Sequence, residues 1–430
     1  MPPGATALYT DHYELTMLQA AIAAGTAGRR SVFELFGRRL PEGRRYGVVA
    51  GVGRALEAIE QFRFDDETLA FLTDRGVVDE RTCEHLAGYR FRGDIWGYPE
   101  GEVYFPYSPL MVVEGSFSDG VLLETVLLSI LNHDSAIASA ASRMTCAAGD
   151  RPCIEMGSRR THEEAAVASA RAAYVAGFSA TSNLAAGRRY GVPTAGTSAH
   201  SFTLLHDSER HAFRAQVESL GRGTTLLVDT YDIAEAVRLG VEIAGPELGA
   251  VRIDSGDLGL LARDVRDQLD GLGATGTRIV VTSDLDEFAI AALSASPVDG
   301  YGVGTSLVTG SGAPTCGFVY KLVSREGPDG RMVDVAKKSR DKPSFGGRKH
   351  ALRRRDTHGV AEAEVVGVGT PPDNDGDDRE LLVPLVTSGE VVGHEPLEQA
   401  RERHATSRGE LPMPAHQMSR GEPVIATLHF

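Results

Sequence analysis

The hydrophobic positions along the chain change their pattern near residue 150. Before that point they predict a helix over 11–24, an alternating strand in RRSVFELFGRRLP, a helix in GVGRALEAIEQF and a long apolar helix over 120–144. After it, short apolar runs alternate with helix-like segments. A mixed N-terminal part is therefore followed by a repetitive central part.

Seven consecutive strand–helix units fill the central part. Their predicted strands are RPCIEM, GFSAT, GVPTAGT, TTLLVDT, GAVRIDSG, TRIVVTSDL and VDGYGVG. Repeated units of this kind form parallel strands joined by crossover helices. An open doubly wound sheet and a closed (β/α) barrel both satisfy the pattern, and the number of units favours the barrel.

Polar residues or glycines stand at or just after the carboxyl end of these strands. They are Arg159, Ser182, His200, Asp229, Asp254, Asp284 and Gly304. In a (β/α) barrel the carboxyl ends of the strands meet at one rim, where active sites are built. The sequence therefore predicts a site at that rim.

The pattern changes again after residue 330, where a basic loop, a Pro- and Asp-rich connector and a few short strands follow. We expect a mixed α/β domain over 1–135, the barrel over 136–330, and a C-terminal segment over 331–430 that joins the N-terminal domain. The basic run 337–355 has two interpretations. Either it contacts polyphosphate, with Lys338, Arg348 and Lys349 as candidates, or it is solvated surface.

Charge and composition exclude several classes of protein. The 430 residues carry 44 Lys and Arg against 59 Asp and Glu, a formal net charge of −15, which argues against nucleic acid or an anionic membrane as partner. An anionic substrate must therefore be attracted by a local cationic pocket. No apolar run approaches the roughly 20 residues that span a bilayer. The N-terminal segment does not resemble a signal peptide, so we expect a cytoplasmic protein.

Cysteine and histidine spacing does not indicate a zinc protein. The four cysteines are scattered, without a C-x-x-C pair, so neither a disulfide framework nor structural zinc is expected. His200, His206 and His211 lack the spacing of a zinc pair, and no G-x-S-x-G elbow of a serine hydrolase occurs. Hydrolase chemistry of either kind is therefore disfavoured.

Three segments carry candidate binding groups. In EMGSRRTHEE, Arg159 and Arg160 follow a strand, where a guanidinium can bind a carboxylate or phosphate in bidentate fashion. In VRIDSGDLG, the carboxylates can bind ribose hydroxyls or Mg²⁺. In DGYGVGTSLVTGSGAP, glycines and hydroxyl groups after a strand can form a nest for a phosphate. Each segment also has a purely structural interpretation: a surface ion pair for the arginines, a helix cap for the aspartates and a turn for the glycines.

Several acidic residues have two competing interpretations. Asp257 and Asp284 are candidate magnesium ligands, and Asp257 is also a candidate helix cap. In VDTYD and TSDLDE, about half of the aspartates are expected to cap helices.

Taken together, these segments resemble one family, the nicotinate phosphoribosyltransferases. TDHYELTM is similar to the family's N-terminal signature. Further similar segments follow in the family's order: ETVLLSILNHDSAIASAASRM, MGSRR, GFSATSNLAAGRRYGVPTAGTSAHSF, VDTYD, RIDSGDL, GVGTSLVT and GRK. The resemblance covers residues 8 to about 355, and the ordered set is far more specific than any one segment.

The resemblance implies a fold, a reaction and an assembly. The fold is an irregular α/β barrel with a domain built from both chain ends. The reaction converts nicotinate, phosphoribosyl pyrophosphate, ATP and water to nicotinate mononucleotide, pyrophosphate, ADP and phosphate, with Mg²⁺ as cofactor, and supplies NAD synthesis. The assembly is a homodimer with sites at the interface.

The resemblance also implies roles for individual residues. His200 would be phosphorylated by ATP. Asp254 would bind the ribose hydroxyls, and Arg252 would face the phosphates. The residues implied for nicotinate are Tyr13 from the neighbouring subunit, Arg159, Ser182 and Thr197. The residues implied for the phosphoribosyl group are Ser255, Gly256, Gly302, Gly304 and Thr305.

Ser182 bears on the choice of pyridine. The related nicotinamide-using enzymes carry an aspartate there, whose charge would repel a carboxylate, so a neutral serine favours nicotinate. A nicotinamide or quinolinate phosphoribosyltransferase remains an alternative. So does a non-catalytic sensor of pyridines or nucleotides on the same fold.

Overall fold

The computed structural model describes residues 5–337 and 345–430. These residues form two compact units. The first combines the chain up to Ser139 with Thr315–Phe430, and the second is Ala140–Pro314. The domain boundaries at 135 and 330 that the sequence suggests stay predictions.

The helices and strands are numbered here in chain order. The helices are α1 (His12–Ala23), α2 (Val52–Glu60), α3 (Asp66–Asp74), α4 (Glu80–Ala87), α5 (Phe117–Val121), α6 (Glu124–Ala148), α7 (Glu163–Val175), α8 (Leu184–Tyr190), α9 (His200–Leu205), α10 (Glu209–Leu220), α11 (Ile233–Ala244), α12 (Leu258–Gly271), α13 (Glu287–Ala292), α14 (Thr305–Val308) and α15 (Leu397–Gly409). The strands are β1 (Arg30–Gly37), β2 (Gly47–Val48), β3 (Asp94–Gly97), β4 (Val103–Tyr104), β5 (Met111–Ser116), β6 (Cys153–Glu155), β7 (Ala180–Thr181), β8 (Thr225–Leu227), β9 (Ala250–Ile253), β10 (Arg278–Ser283), β11 (Gly300–Val303), β12 (Phe318–Glu326), β13 (Met332–Asp334), β14 (Lys349–Arg355), β15 (Ala361–Val368), β16 (Arg379–Glu380), β17 (Val383–Thr387), β18 (Glu390–Val391) and β19 (Ala426–His429).

The second unit is built on a parallel sheet of six strands in the order β7-β6-β11-β10-β9-β8. Thr194 forms a single parallel bridge to Thr181 at the β7 edge. Read as a ring, this order follows the sequence, and the ring is open between Thr194 and β8. The structure therefore confirms the predicted irregular α/β barrel. The predicted strand GVPTAGT, however, is reduced to that one bridge.

The first unit draws one antiparallel sheet from both parts of the chain. Its strand order is β13-β12-β1-β5-β3-β17-β18, in which β1 pairs with β5 on one side and with β12 on the other. A second sheet has the order β16-β14-β15-β19. The expected mixed domain formed by the N- and C-terminal segments is therefore present.

A long apolar helical stretch runs over Phe117–Ala148. Within the described residues it alone is long and apolar enough to cross a membrane, but 67% of its most apolar window is buried inside the protein. Its buried residues include Leu127, Ile137 and Met144. A stretch buried to this extent is typical of a core helix.

In the basic run 337–355, two of the candidate polyphosphate contacts have partners inside the protein, whereas Lys337 is exposed. Lys349 is buried, and its Nζ donates to Glu34 Oε2 over 2.7 Å. Arg348 Nε donates to Glu114 Oε1 over 2.9 Å. Both cations therefore tie this segment to the first sheet, since Glu34 lies on β1 and Glu114 on β5. Lys338 lies outside the described residues.

His404 on α15 gives the first unit a pH-dependent stability. The side chain is 2% exposed, and burial, aided by the charges of Arg408 and Arg401, lowers its pKa to about 3. Because the unfolded chain binds this proton near pH 6.5 and the folded one does not, stability decreases as pH falls from about 6.5 towards 3. We expect His404→Gln to flatten this dependence by up to about 1.4 kcal/mol per pH unit. Urea unfolding of both proteins from pH 4.5 to 8 measures it. Parallel curves would contradict the assignment.

Candidate active site

One cavity lies at the carboxyl edge of the parallel sheet in the second unit. Its volume is about 300 Å³, and it is lined by Met156, Arg159, Arg160, Ala199, His200, Arg252, Asp254, Thr282, Ser283, Asp284, Gly302, Gly304 and Thr305. These residues come from segments that follow or end β6, β9, β10 and β11, and from the start of α9. The parallel order of the strands therefore gathers side chains that are up to 149 positions apart in sequence, from Met156 to Thr305.

His200 begins α9 and faces three polar residues. Its Nδ1 lies 3.1 Å from Thr230 Oγ1. Its Nε2 lies 3.8 Å from Asp229 Oδ1 and 4.0 Å from Asp254 Oδ2. The imidazole is partly exposed, so it is both oriented by its neighbours and accessible from the cavity.

Asp229 is a buried carboxylate beneath this histidine, with a side chain only 2% exposed. Its Oδ2 accepts hydrogen bonds from the Asp254 N–H (2.9 Å) and the Ser255 hydroxyl (2.8 Å). Its Oδ1 has no hydrogen-bond partner within the described residues. Because a buried carboxylate oxygen is costly to leave without a donor, Oδ1 is suited to accept a proton-bearing group such as the His200 ring.

Arg252 and Asp254 lie at the end of β9, next to each other in the cavity. Burial lowers the pKa of the Arg252 guanidinium, whereas the carboxylates of Asp254 and Asp229 raise it. Its Nη1 is 3.5 Å from Thr197 Oγ1. Asp254 accepts a hydrogen bond from the hydroxyl of Thr282 on β10, and 43% of its side chain is exposed. One cation and one anion are thus held side by side, each able to meet a ligand.

Glycines allow the backbone to line the remaining wall. A Cβ on Gly302 would lie 2.4 Å from Thr282 Cγ2 and 2.8 Å from Met156 Sδ, so this position on β11 has no room for a side chain. Gly256 has φ +88°, a conformation that favours glycine. Gly304 and Thr305 follow β11 and line the cavity. A backbone exposed in this way can present N–H groups to a phosphate.

The two predicted magnesium ligands occupy different positions. The Asp257 carboxylate accepts a hydrogen bond from the Leu260 N–H over 3.1 Å and caps α12. Asp284 is exposed and lines the cavity, as Asp254 does. Within the described residues no group of three or more His, Cys, Asp or Glu is placed to hold a metal. One or two carboxylates beside a phosphate ligand are nevertheless the environment that Mg²⁺ commonly takes, so Asp254 and Asp284 fit it.

Ser182 does not line the cavity, and Tyr13 belongs to the first unit. Ser182 is exposed after β7, and its N–H donates to the Glu155 carbonyl over 2.8 Å. Tyr13, in the first unit, is 44% exposed on α1. Partial burial and the charge of Glu124, Glu14 and Asp11 raise the pKa of Tyr13 to about 12, so it is a neutral phenol at physiological pH.

A larger cavity of about 590 Å³ lies in the first unit. Its two arginines already bind carboxylates: Arg379 contacts Glu102 and Glu410, and Arg403 contacts Glu395 in bidentate fashion. None of the residues singled out from the sequence lines it. The smaller cavity is therefore the better candidate for a binding site.

Sequence reasoning passed over several residues that shape the cavity. Asp229 was weighed only as a rim residue or helix cap, and Thr230, Thr282 and Glu155 received no role. Each of them lies in the last two residues of a strand or within three residues after one, which is the one signal that indicates them.

The fold and the cavity define an α/β barrel protein whose carboxyl rim combines cationic, acidic and glycine-lined segments. The model of the nicotinate phosphoribosyltransferase N-terminal domain matches residues 8–132. Nicotinate phosphoribosyltransferase pncB1 of Mycobacterium tuberculosis is 59% identical, with 98% of this chain and 94% of that protein covered. The nicotinate phosphoribosyltransferase of Bacillus subtilis is 40% identical, with 80% and 72% covered.

Solved structures agree with these relatives. The crystal structure of human nicotinic acid phosphoribosyltransferase matches with a TM-score of 0.82 at 26% identity, covering 97% of both chains. A nicotinate-nucleotide pyrophosphorylase from Pyrococcus furiosus shares the fold, with a TM-score of 0.76 at 24% identity and coverage of 94% and 95%. The chain belongs to the nicotinate phosphoribosyltransferase family.

The close approach at Gly302 predicts a difference between two glycine substitutions. Gly302→Ala forces a methyl group against Thr282 and Met156, and we expect it to cost about 1–3 kcal/mol of stability. Gly300→Ala on the same strand is the matched control, because the nearest atoms to its added Cβ, both of Pro152, are 3.4 Å away. Urea unfolding should give the Gly302 variant a clearly lower midpoint than the Gly300 variant. Equal midpoints would show that Thr282 and Met156 do not pack against Gly302 as described.

Proposed function

We propose that this protein is a nicotinate phosphoribosyltransferase. It transfers the phosphoribosyl group of phosphoribosyl pyrophosphate to nicotinate, which yields nicotinate mononucleotide and pyrophosphate for NAD synthesis. The observation that carries this proposal is the single cavity in which Arg159, His200, Arg252, Asp254 and the β11 glycines meet. The 59% identical relative of the same name supports it.

Both substrates are anions, and the cavity offers positively charged side chains to bind them. The chain has a net charge of −15, yet Arg159, Arg160 and Arg252 all line this one cavity. We assign the nicotinate carboxylate to Arg159, whose planar guanidinium suits bidentate binding. Thr197 Oγ1 lies 3.5 Å from Nη1 of Arg252, which lines the cavity. Ser182 is uncharged and so does not repel a carboxylate.

The reaction breaks the bond between the anomeric carbon and pyrophosphate. The sugar gains positive charge in the transition state, and the Asp254 carboxylate is placed to stabilise that charge and to accept hydrogen bonds from the ribose hydroxyls. Arg252 faces the leaving phosphates. The backbone of Gly302 and Gly304, with Thr305, receives the 5′-phosphate, and Ser255 and Gly256 border the sugar. The pyridine nitrogen carries its own lone pair, so no general base is needed.

Mg²⁺, when bound at Asp254 and Asp284, would neutralise charge on the departing pyrophosphate. The capping role of Asp257 makes it the weaker of the two candidate ligands from the sequence.

We assign the coupling to ATP to His200. A ring nitrogen attacks the γ-phosphorus, ADP leaves, and the phosphoryl group is later transferred to water. Asp229 and Thr230 orient the ring from opposite sides, since Asp229 Oδ1 faces Nε2 and Thr230 Oγ1 faces Nδ1. In the tautomer whose Nε2–H points to the Asp229 carboxylate, Nδ1 carries the lone pair that attacks. Hydrolysis of the phosphohistidine then adds a favourable step to synthesis.

A homodimer in the cytoplasm completes the proposal. Large apolar side chains on the second unit are exposed beside the residues of the rim: Leu184, Leu204, Leu205, Tyr231 and Leu260. Exposed apolar surface of this kind marks interfaces. A second copy of the chain that covers it would bring Tyr13, itself exposed, to stack on the pyridine ring.

The assignment of Arg159 predicts a substrate preference. With phosphoribosyl pyrophosphate and ATP, we expect nicotinate to be converted in preference to nicotinamide or quinolinate. Arg159→Ala should reduce kcat/KM for nicotinate by about 10- to 100-fold, because a charge-assisted bond is lost. Chromatography of the mononucleotide products measures this. A preference for nicotinamide or quinolinate would identify the alternative transferases, and no turnover with any pyridine would identify a sensor.

The assignment of His200 predicts how ATP affects turnover. His200→Ala should abolish the acceleration by ATP and leave slow, ATP-independent synthesis. Asp229→Asn should reduce the phosphohistidine that forms from γ-labelled ATP, because the amide no longer offers the carboxylate oxygen that faces Nε2. Acid-labile label on the intact protein is the readout. Undiminished labelling of the His200 variant would rule out this residue as the acceptor.

A further inference from the structure

Glu155 is a fully buried carboxylate at the end of β6, directly before the loop that carries Arg159 and Arg160. Its backbone pairs with Thr181 on β7 and with Val303 on β11, so it lies on an interior strand of the parallel sheet, next to the edge strand β7. It does not line the cavity itself. The mechanism above gives it no part.

The Glu155 side chain accepts hydrogen bonds from both neighbouring loops. Oε1 accepts from the Gly157 N–H, and Oε2 accepts from the Thr181 hydroxyl. Its main-chain oxygen accepts from the Ser182 N–H over 2.8 Å. One residue is thus bonded to the loop that carries Arg159 and to the loop that carries Ser182.

A chain of side-chain contacts extends this connection. Thr181 Oγ1 accepts from the Asn183 N–H (2.9 Å), and Asn183 Nδ2 donates to Ser158 Oγ (3.0 Å). Ser158 immediately precedes Arg159. The Asn183 Oδ1 also caps α8 by accepting from the Ala186 N–H over 2.9 Å. The two loops are therefore closed into one hydrogen-bonded ring that begins and ends at Glu155.

Close packing leaves the first loop little freedom. A Cβ on Gly157 would lie 2.2 Å from Val308 Cγ1 and 3.0 Å from Glu155 Oε1. Burial raises the pKa of the Glu155 carboxyl, while the hydrogen bonds from Thr181 and Gly157 lower it. The loop can move only by breaking buried hydrogen bonds, which costs more than breaking exposed ones.

We infer that Glu155 is a positioning residue that fixes the separation of Arg159 and Ser182, and thereby sets the preference for a pyridine carboxylate without contacting it. The inference rests on the proposed function. A guanidinium binds a carboxylate in bidentate fashion only within a narrow geometry. A displaced Arg159 would bind nicotinate less well, whereas uncharged nicotinamide gains little from that contact and would lose little.

Two substitutions test this. Glu155→Gln keeps the shape but turns an NH₂ group towards one of the two donors, and Thr181→Val removes the hydroxyl that joins the loops. For both, we expect KM for nicotinate to rise about 10- to 100-fold. KM for phosphoribosyl pyrophosphate and kcat should change much less. The kcat/KM ratio of nicotinate to nicotinamide should fall by a similar factor.

Two matched variants serve as controls. Thr181→Ser retains the hydroxyl and should restore the ratio. Ser179→Ala removes a hydroxyl just before the same strand, where it donates to the Cys153 carbonyl over 3.0 Å, and should leave both KM values unchanged. If Glu155→Gln fails to fold, the Thr181 pair still decides the question.

An unchanged kcat/KM ratio of nicotinate to nicotinamide would overturn the inference. Equal increases in KM for nicotinate and phosphoribosyl pyrophosphate would also overturn it, because a general loss of packing affects both substrates alike. Absence of mononucleotide synthesis by the unaltered protein would instead reject the proposed function. The two failures are therefore distinguishable.

Discussion

Buried carboxylates that accept backbone N–H groups hold the rim of the barrel together. Asp229 accepts from the Asp254 N–H at the next strand end, and Glu155 accepts from the Gly157 N–H in its own loop and from the Thr181 hydroxyl on the next strand. Short loops at parallel strand ends have few backbone partners of their own, because the ladder stops where they begin. A carboxylate with two acceptor oxygens can replace the missing partners of two loops at once. The positions of the loops that carry Arg159 and Asp254 depend on these bonds.

The same arrangement explains how an acidic protein can bind polyanions. Carboxylates such as Asp229 and Glu155 are turned into the fold, where their charge is met by hydrogen-bond donors. Arg159 and Arg252 remain directed to the cavity. Charges in a partly desolvated cleft act more strongly on a ligand than the distant surface charges, which salt screens. Three arginines against two aspartates in the lining give the cavity a local excess of positive charge in a chain with a net charge of −15.

Much of this fold could be predicted from the sequence, because seven apolar runs alternated with helical segments. The opening of the barrel was not predicted. GVPTAGT has one large apolar residue, Val192, and a proline that cannot donate a ladder hydrogen bond, and it contributes only the Thr194 bridge. The sequence predicts that the polar residues near the strand ends lie together at one rim. Whether a side chain points into the cavity or beneath it depends on strand register, and one residue of shift reverses it.

Individual roles were harder to predict than positions. Asp257 lies in VRIDSGDLG, a segment whose acidic residues suggest ligand binding, but its carboxylate caps α12. Lys349 lies in a basic run that suggests a polyphosphate contact, and its partner Glu34 is 315 positions away in sequence. Such pairings depend on the tertiary fold and leave no local pattern. Asp229 is predicted as a rim residue, but its contacts with Asp254 and His200 depend on the fold in the same way.

Asp229 also connects the two halves of the proposed chemistry. One of its oxygens bonds the loop that begins at Asp254, where the sugar is expected, and the other faces His200 Nε2. A change in the charge or protonation of the imidazole therefore acts on a carboxylate that holds the sugar-binding loop. Because the side chain is buried, little solvent screens this effect. Phosphorylation at His200 and binding of the sugar at Asp254, as proposed, would thus be coupled through the Asp229 side chain.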